Sequence, residues 1–390
     1  MKNYKNIFKN EFIKVPFFKP DISYSDKQII SKTLSSSLLT NGPKLKKFEN
    51  DFSTFTKSKF SVGVSSATAA LHLSLRALGL KKDDEVLVPD ITFVATANAI
   101  LMNGSKPILV DVNENDLNIN LESIEKNINK KTKAIIPVHM AGYSCDMKNI
   151  LEISNKFGLY VIEDCAHAIG TYFKNKHVGS FGDFGCFSFY PTKNLTTLEG
   201  GMVCTNSSTL SENVSILRNH GITRNLIERY TEGFPWEYDV KDYGYNYRMD
   251  EIRASLGINQ LKRLKKNNTK RKNAFKYYNK FLSKIEGIEI PPVKNLENSS
   301  CHLYIIKIDE KRFGLDRNSV FKKLLSKGIQ TSVHYKPLHT FSLFRNSMKS
   351  KNSLRNSITL ENKILSLPMF SNISKIQQDF VINALSKMKN

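Results

Sequence analysis

Short apolar runs recur along the first two thirds of this chain, and between them apolar positions return every three or four residues. Glu85-Val86-Leu87-Val88, Pro107-Ile108-Leu109-Val110-Asp111, Ala134-Ile135-Ile136-Pro137-Val138 and Leu159-Tyr160-Val161-Ile162 read as strands, with a helix over 146–157 between the last two. Phe60-Ser61-Val62-Gly63-Val64 and residues 201–205 add two more strands. Strands alternating with helices in this way predict an α/β fold with a mostly parallel central sheet and helices on both faces. In such sheets ligands sit at the carboxyl ends of strands, which singles out Phe93, His139 and the Glu163-Asp164 pair.

Two earlier amphipathic segments, 25–34 and 44–55, flank Asn41-Gly42-Pro43, a strong turn signal that reads as a helix connector. After the strand at 60–64, Leu71, Leu75 and Leu78 fall at i, i+4 and i+7. A helix therefore begins near Thr68, capped by Ser66 or Thr68. A strand that turns through small hydroxyl residues into a helix offers free N–H groups and a positive dipole end to an anion, and the same turn equally suits a plainly capped helix. Further on, 210–218 and 250–264 read as helices. Past residue 265 the texture changes to a basic helix, the Pro291-Pro292 loop, a strand at 302–308 and a helix at 319–327. This change predicts a large domain over 1–264 and a smaller C-terminal α+β domain over 265–390.

The segment carrying the clearest chemistry runs from Gly185 to Gly201. An apolar, aromatic run, Cys186-Phe187-Ser188-Phe189-Tyr190, ends at Pro191, and Lys193 follows in a turn closed by Gly200-Gly201. Apolar neighbours strip solvation from the charged amine, so its pKa falls and the neutral form can attack a carbonyl. Lys193 is thus the candidate for a pyridoxal phosphate Schiff base. Asp164, after the apolar Val161-Ile162, needs a cation or hydrogen-bond donors to offset its burial. A protonated pyridine nitrogen supplies one; backbone N–H groups supply the other. His167 would contact the ring's phenolic oxygen or simply pack, and Phe93 would cover the ring face or belong to the core. The block Asp242-Tyr243-Gly244-Tyr245-Asn246-Tyr247-Arg248 mixes exposed aromatics with polar groups and suits a subunit interface or a binding site.

Composition narrows the class. The 390 residues are 40% hydrophobic and 24% charged, ordinary for a soluble enzyme with a large core. No apolar run nears the roughly 20 residues that cross a bilayer. The basic start, broken by Asn, Glu and Lys, lacks the apolar stretch of a signal peptide, so a cytoplasmic location is expected. Cys145, Cys165, Cys186, Cys204 and Cys301 form no Cys-x-x-Cys pair, which predicts no metal site and reduced, mostly buried thiols. The formal charge of +22 is spread thinly. Its clusters at 262–266 and 270–272 read as the solvated face of a helix rather than as a nucleic-acid surface, and a basic surface also suits a substrate bearing a diphosphate.

Six blocks in order resemble the DegT/DnrJ/EryC1/StrS family of PLP-dependent sugar aminotransferases. They are Leu39-Thr40-Asn41-Gly42-Pro43, Ser65 to Leu71, Glu163-Asp164-Cys165-Ala166-His167-Ala168, Phe187 to Gly201, Gly244 to Arg248, and Val333-His334-Tyr335-Lys336-Pro337-Leu338-His339. The resemblance covers nearly the whole chain and implies the aspartate-aminotransferase-like fold, type I of the PLP-dependent transferases. It implies Lys193 as the Schiff-base lysine, Asp164 as partner of the pyridine nitrogen and His167 near the phenolic oxygen. Ala67, Thr68 and Ser188 would form the phosphate cradle and Phe93 the stacking aromatic. Asn246 would reach the phosphate from the neighbouring subunit of a homodimer with shared active sites. Many relatives have Gly where this chain has Ala67, a change that a backbone N–H contact tolerates. Arg248, His334 and Tyr335 are candidate contacts to sugar or nucleotide phosphate.

By the same resemblance L-glutamate is the amino donor and a nucleotide-linked 6-deoxy keto-sugar, 4-keto by preference, the acceptor, for surface polysaccharide or glycoconjugate synthesis. Another keto substrate such as a cyclitol is an alternative. A dehydratase is another, but such relatives carry His in place of the lysine. A non-catalytic PLP-binding regulator is the reading from a different class, and it would have less need of a releasable lysine.

Overall fold

The computed structural model describes residues 13–224, 234–294, 296–347 and 354–388, so the basic start of the chain lies outside them as far as residue 12. The central sheet is built from β1 (Phe60–Val64), β2 (Glu85–Pro89), β3 (Lys106–Val110), β4 (Thr132–Ile135) and β5 (Tyr160–Asp164). A small hairpin of β6 (Tyr172–Phe173) and β7 (Lys176–His177) intervenes before β8 (Phe184–Ser188) and β9 (Gly201–Thr205) complete it. The spatial order is β1-β9-β8-β5-β4-β2-β3, and of these seven only β9 runs antiparallel to its neighbours. The strands are buried along nearly their whole length, which is why they read as continuous apolar runs rather than as alternating ones.

Helix α1 (Tyr24–Leu34) opens on a Ser23–Asp26 capping box, and α2 (Pro43–Thr56) begins at the expected turn. What fixes that turn is remote. The buried Glu251 carboxylate accepts from the N–H groups of Gly42, Lys44 and Leu45 at 3.0, 2.7 and 2.9 Å. A Cβ on Gly42 would lie 2.7 Å from Glu251 Oε2, so a side chain there would push the carboxylate away from its donors. Helix α3 (Ala67–Ala77) starts one residue before the expected position, with Ser66 as its cap.

The helix expected to end at 264 instead continues, capped by Asp250, as one helix over Glu251–Leu282. The period is obscured because its buried stripe carries polar side chains that bond carbonyls. Asn268 Nδ2 donates to the Ile169 carbonyl at 3.0 Å, and the buried Arg271 donates to the carbonyls of His302 and Met369, each at 3.1 Å. Lys262, Lys265, Lys266 and Lys270 stay exposed, as the charge pattern suggested, but Arg271 of the second cluster is buried and Arg263 and Lys272 are half-buried, so the solvated face is narrower than the two clusters. The expected domain boundary thus falls inside a continuous helix. Its first part packs on α1 and α2, and its second part on a small antiparallel sheet of β10 (Ile288–Glu289), β11 (Tyr304–Ile308) and β12 (Ile364–Leu367). Helices Arg317–Ser326 and Lys375–Ser386 cover that sheet. All five cysteines are buried and free, and no described helix is long and apolar enough to cross a membrane.

Candidate active site

The segments that leave the carboxyl ends of β2, β5 and β8, together with the start of α3, converge on a cavity of about 450 Å³. Ala67, Thr68, Phe93, Asp164, His167, Ser188, Lys193, His334 and Tyr335 all line it. Asn246 and Arg248 do not. Asn246 is exposed, with its backbone paired to Asn219, and Arg248 Nη1 donates to Asn219 Oδ1 at 2.9 Å.

The lysine arrives on a local turn. Strand β8 ends at Ser188, three residues before the expected break at Pro191. Phe187 and Phe189 remain fully buried, and the Lys193 N–H donates to the Tyr190 carbonyl at 2.9 Å. Burial lowers the Lys193 pKa to about 8, against the opposing pull of the Asp164 charge. Asp164 experiences the converse. Burial raises its carboxyl above the usual range, although the Ala166 N–H donates to Oδ1 at 3.0 Å and the Thr96 hydroxyl to Oδ2 at 2.9 Å.

Its neighbour Glu163 points the other way along the strand and is a structural anchor. Its oxygens accept from the N–H groups of Gly179, Phe181 and Gly182 and face His139 Nε2 at 3.1 Å. Burial would raise this carboxyl, but His139 and the backbone donors outweigh it and hold the group below the usual range. The same carboxylate lies close to Cys165, yet its oxygens are already used, so the trio offers no open ligand set.

At the start of α3 the Ala69 N–H goes to Ser66 Oγ at 3.1 Å and the Ala70 N–H to the Ser66 carbonyl at 3.0 Å. The N–H groups of Ala67 and Thr68 are left facing the open end of the helix. A Cβ on Gly201 would sit 2.5 Å from the Ser66 carbonyl carbon and 2.8 Å from Ala67 N, so glycine there keeps the cradle's backbone in place.

The far wall comes from residues 333–341. Burial lowers the His334 pKa to about 3, with the Lys193 charge adding to it, and His334 Nδ1 lies 2.8 Å from Ser366 Oγ. Phe17 stacks on its ring at 5.3 Å. The Tyr335 oxygen lies 2.9 Å from His167 Nε2, and burial raises its phenol pKa. This wall is tied to the end of β2 through Asp90, whose carboxylate accepts from the His339 N–H at 2.8 Å and meets His339 Nδ1 at 2.6 Å.

Sequence reasoning did not assign Thr96, His302, Asn194 or the Asp90–His339 pair. Thr92 and Thr96, one helical turn apart beyond a strand end, carried a usable signal. His302 carried none, because its place beside His167 depends on the far side of the chain.

A model of the DegT/DnrJ/EryC1/StrS aminotransferase family matches residues 20–386. The chain is 37% identical over 379 residues to the spore coat polysaccharide biosynthesis protein SpsC of Bacillus subtilis, covering 97% of each. The putative sugar aminotransferase Spr1654 of Streptococcus pneumoniae, in its PMP form, superposes with a TM-score of 0.88 at 31% identity, covering 96% of this chain and 99% of that one. Helicobacter pylori PseC, an aminotransferase involved in the biosynthesis of pseudoaminic acid, superposes with a TM-score of 0.86 at 30% identity, covering 96% and 98%.

Proposed function

This chain belongs to the DegT/DnrJ/EryC1/StrS aminotransferase family, and from that membership we propose that it moves an amino group from L-glutamate to the keto group of a nucleotide-linked 6-deoxy keto-sugar. It is a PLP-dependent sugar aminotransferase of fold type I. The residues present fit that cofactor. The uncapped N–H groups of Ala67 and Thr68, with the Ser188 hydroxyl, suit its phosphate. The buried Asp164 suits a cationic ring nitrogen, which would relieve the penalty that raises its pKa. Phe93, 55% exposed at the cavity, suits the ring face, and His167, which lines the same cavity, is assigned by the resemblance to the neighbourhood of the ring's phenolic oxygen.

When bound, PLP supplies a conjugated cationic ring that takes up the electron pair left when a proton departs from the carbon bearing nitrogen. The protein's part is to place groups around it. Lys193 Nζ anchors the cofactor and, once released, moves the proton, because a pKa near 8 leaves a useful fraction of neutral amine at physiological pH. His334 and Tyr335 on the far wall are assigned to the sugar.

Asn246 is assigned to the cofactor phosphate of a neighbouring copy, in a homodimer with shared sites, and Arg248 to the sugar or the nucleotide phosphate. The exposed Asn246 side chain, without a partner among the described residues, supports that assignment. Residues 1–264 are assigned as the cofactor-binding domain and 265–390 as the small one, with the long helix shared between them. The C4 position is assigned on the resemblance of segments 236–238 and 243–248 to 4-keto-acting members of the family, and a role in surface polysaccharide or glycoconjugate synthesis on the resemblance and on the name carried by SpsC. Five buried, unbridged cysteines support a cytoplasmic setting.

The observation that carries this reading is a lysine of lowered pKa sharing one cavity with a buried aspartate. The test is the visible spectrum of the PLP-loaded protein. Adding L-glutamate should bleach the band of the lysine-bound cofactor, and a 4-keto-6-deoxy nucleotide sugar should restore it. Lys193→Ala should form no such band and lose turnover by roughly 10⁴-fold, the upper end of what a positioned acid–base group contributes. A parent spectrum indifferent to glutamate would overturn the donor assignment. Recovery with a 3-keto sugar alone would overturn the C4 assignment.

A further inference from the structure

His167 has both ring nitrogens engaged, and the partners are of opposite kinds. The Ala141 N–H points at Nδ1 at 3.4 Å, while Nε2 lies 2.9 Å from the Tyr335 oxygen. A backbone N–H can only donate, so Nδ1 must carry the lone pair and the single proton of the neutral ring must sit on Nε2. The ring is indeed held neutral by burial and by the nearby Lys193 charge. Nε2–H therefore donates to the Tyr335 oxygen, which leaves the tyrosine's own O–H without an acceptor among the described residues.

Three contacts fix this arrangement. The Ala141 carbonyl accepts from the N–H groups of His302 and Leu303 at 3.1 and 3.3 Å. The His302 ring packs on His167 at 4.6 Å between centroids, with its Nδ1 2.9 Å from Asn194 Oδ1. Asn194 Nδ2 in turn donates to Asn268 Oδ1 and to the Ser300 carbonyl, so Asn194 Oδ1 is the acceptor and His302 Nδ1 the donor. The Tyr335 ring lies nearly parallel to that of His167, with centroids 5.8 Å apart and planes 21° apart.

We propose that His167 is a positioning residue that acts through Tyr335. By filling the acceptor site of the phenol, it turns the Tyr335 O–H into a dedicated hydrogen-bond donor toward an oxygen of the molecule bound in the cavity. The acceptor is a sugar oxygen or the phenolic oxygen of the cofactor ring; both are oxygen acceptors and both fit a neutral donor. Burial that raises the Tyr335 pKa keeps the phenol protonated at every working pH. The inference rests on the aminotransferase reading for the identity of the bound molecule, but the tautomer of His167 belongs to the protein alone.

Nitrogen-15 NMR of the parent enzyme, labelled at histidine and free of sugar, should place the His167 proton on Nε2 from pH 6 to pH 8. A proton on Nδ1 would overturn the proposal. In the PLP-loaded enzyme, Tyr335→Phe should lower the rate of the sugar half-reaction about tenfold, the worth of one hydrogen bond, and His167→Phe should do the same. The double variant should also lose about tenfold, and His167→Gln, whose amide can both donate to Tyr335 and accept from Ala141, should recover most of the loss of His167→Phe. Losses that multiply to about 100-fold in the double variant would show independent roles and sink the idea, as would a Tyr335→Phe enzyme indistinguishable from the parent. A shifted pH midpoint of the cofactor band in sugar-free Tyr335→Phe identifies the cofactor oxygen as the acceptor. An unshifted midpoint with a slower sugar step identifies the sugar. Failure of the aminotransferase reading would appear elsewhere, as a parent band that does not respond to glutamate.

Discussion

The floor and the far wall of the cavity are built by different means. The floor, Asp164 and Lys193 with Thr96 beneath, consists of residues at or just past the ends of strands and at a helix start, brought together by the sheet itself. Its chemistry is that of opposite charges taken out of water together, so each group moves the other's pKa. The wall, His334 and Tyr335, lies in the C-terminal part and is held by contacts spanning large stretches of sequence: Phe17 on His334, His167 on Tyr335, Asp90 on His339. Its members are neutral, with His334 kept unprotonated and Tyr335 kept protonated by burial. A floor that depends on charge and a wall that depends on placement should fail differently.

The largest contrast is expected from Asp164→Asn. The substitution keeps the shape and one oxygen for the Ala166 N–H, turns an NH2 toward the Thr96 hydroxyl, which can accept, and removes the charge that faces the amine. Turnover should fall roughly 10²-fold, as for loss of one preorganised electrostatic partner. The His167 tautomer, set by Ala141 and Tyr335, should not change. If the NMR signature of His167 moved with the Asp164 charge, floor and wall would be one electrostatic unit and the distinction would collapse.

A smaller effect, about tenfold per pH unit, is expected in the capture of added PLP by the cofactor-free protein. The neutral amine is the reactive form and the Lys193 pKa is lowered to about 8, so the rate should climb up to about pH 8 and then level off. A freely solvated lysine would keep climbing to about pH 10.4. Because Asp164 pulls the Lys193 pKa upward, Asp164→Asn should move the plateau to lower pH. Tyr335→Phe, which changes only the wall, should leave it where it is. Stopped-flow absorbance across pH 6 to 10 checks all three proteins.

The same contrast explains what was legible in the sequence. Lys193, Asp164 and the Ser66–Thr68 turn each follow a recognisable strand, so the rule that ligands gather at strand ends finds them one at a time. Most of the sheet was legible for the same reason, because strands buried on both faces are continuous apolar runs. The long helix was not, since Asn267, Asn268 and Arg271 occupy buried positions where the period calls for apolar residues. Strand β12, four residues long, offers too little pattern to stand out. The supports of the wall were invisible for a further reason. Asp90 and His339 are 249 positions apart, and neither residue type indicates its partner.

The smallest effect is the most specific to the wall. Asp90 is fully buried, and its side chain receives both the N–H and the ring of His339 while its carbonyl accepts the Leu338 N–H at 2.8 Å. The hydrogen bond to Asp90 raises the His339 pKa above its ordinary value despite partial burial. A raised pKa means that the pair's contribution to stability is fully present below the unfolded value of about 6.5 and fades as pH rises through the higher folded value. Asp90→Asn should therefore cost about 1.5–3 kcal/mol at pH 6, the range for a hydrogen bond to a charged group, and less at higher pH. Urea unfolding of parent and variant at several pH values measures this directly. Because Asp90 lies at the foot of the loop that carries Thr92 and Phe93 but its charge is used on the wall, the variant should still capture PLP with the plateau near pH 8. Its sugar KM should rise a few-fold, as the segment bearing His334 and Tyr335 loosens. A penalty that grew with pH would mean that the ion pair is not what Asp90 supplies, and a displaced plateau would mean that the wall's anchor also sets the charge balance of the floor.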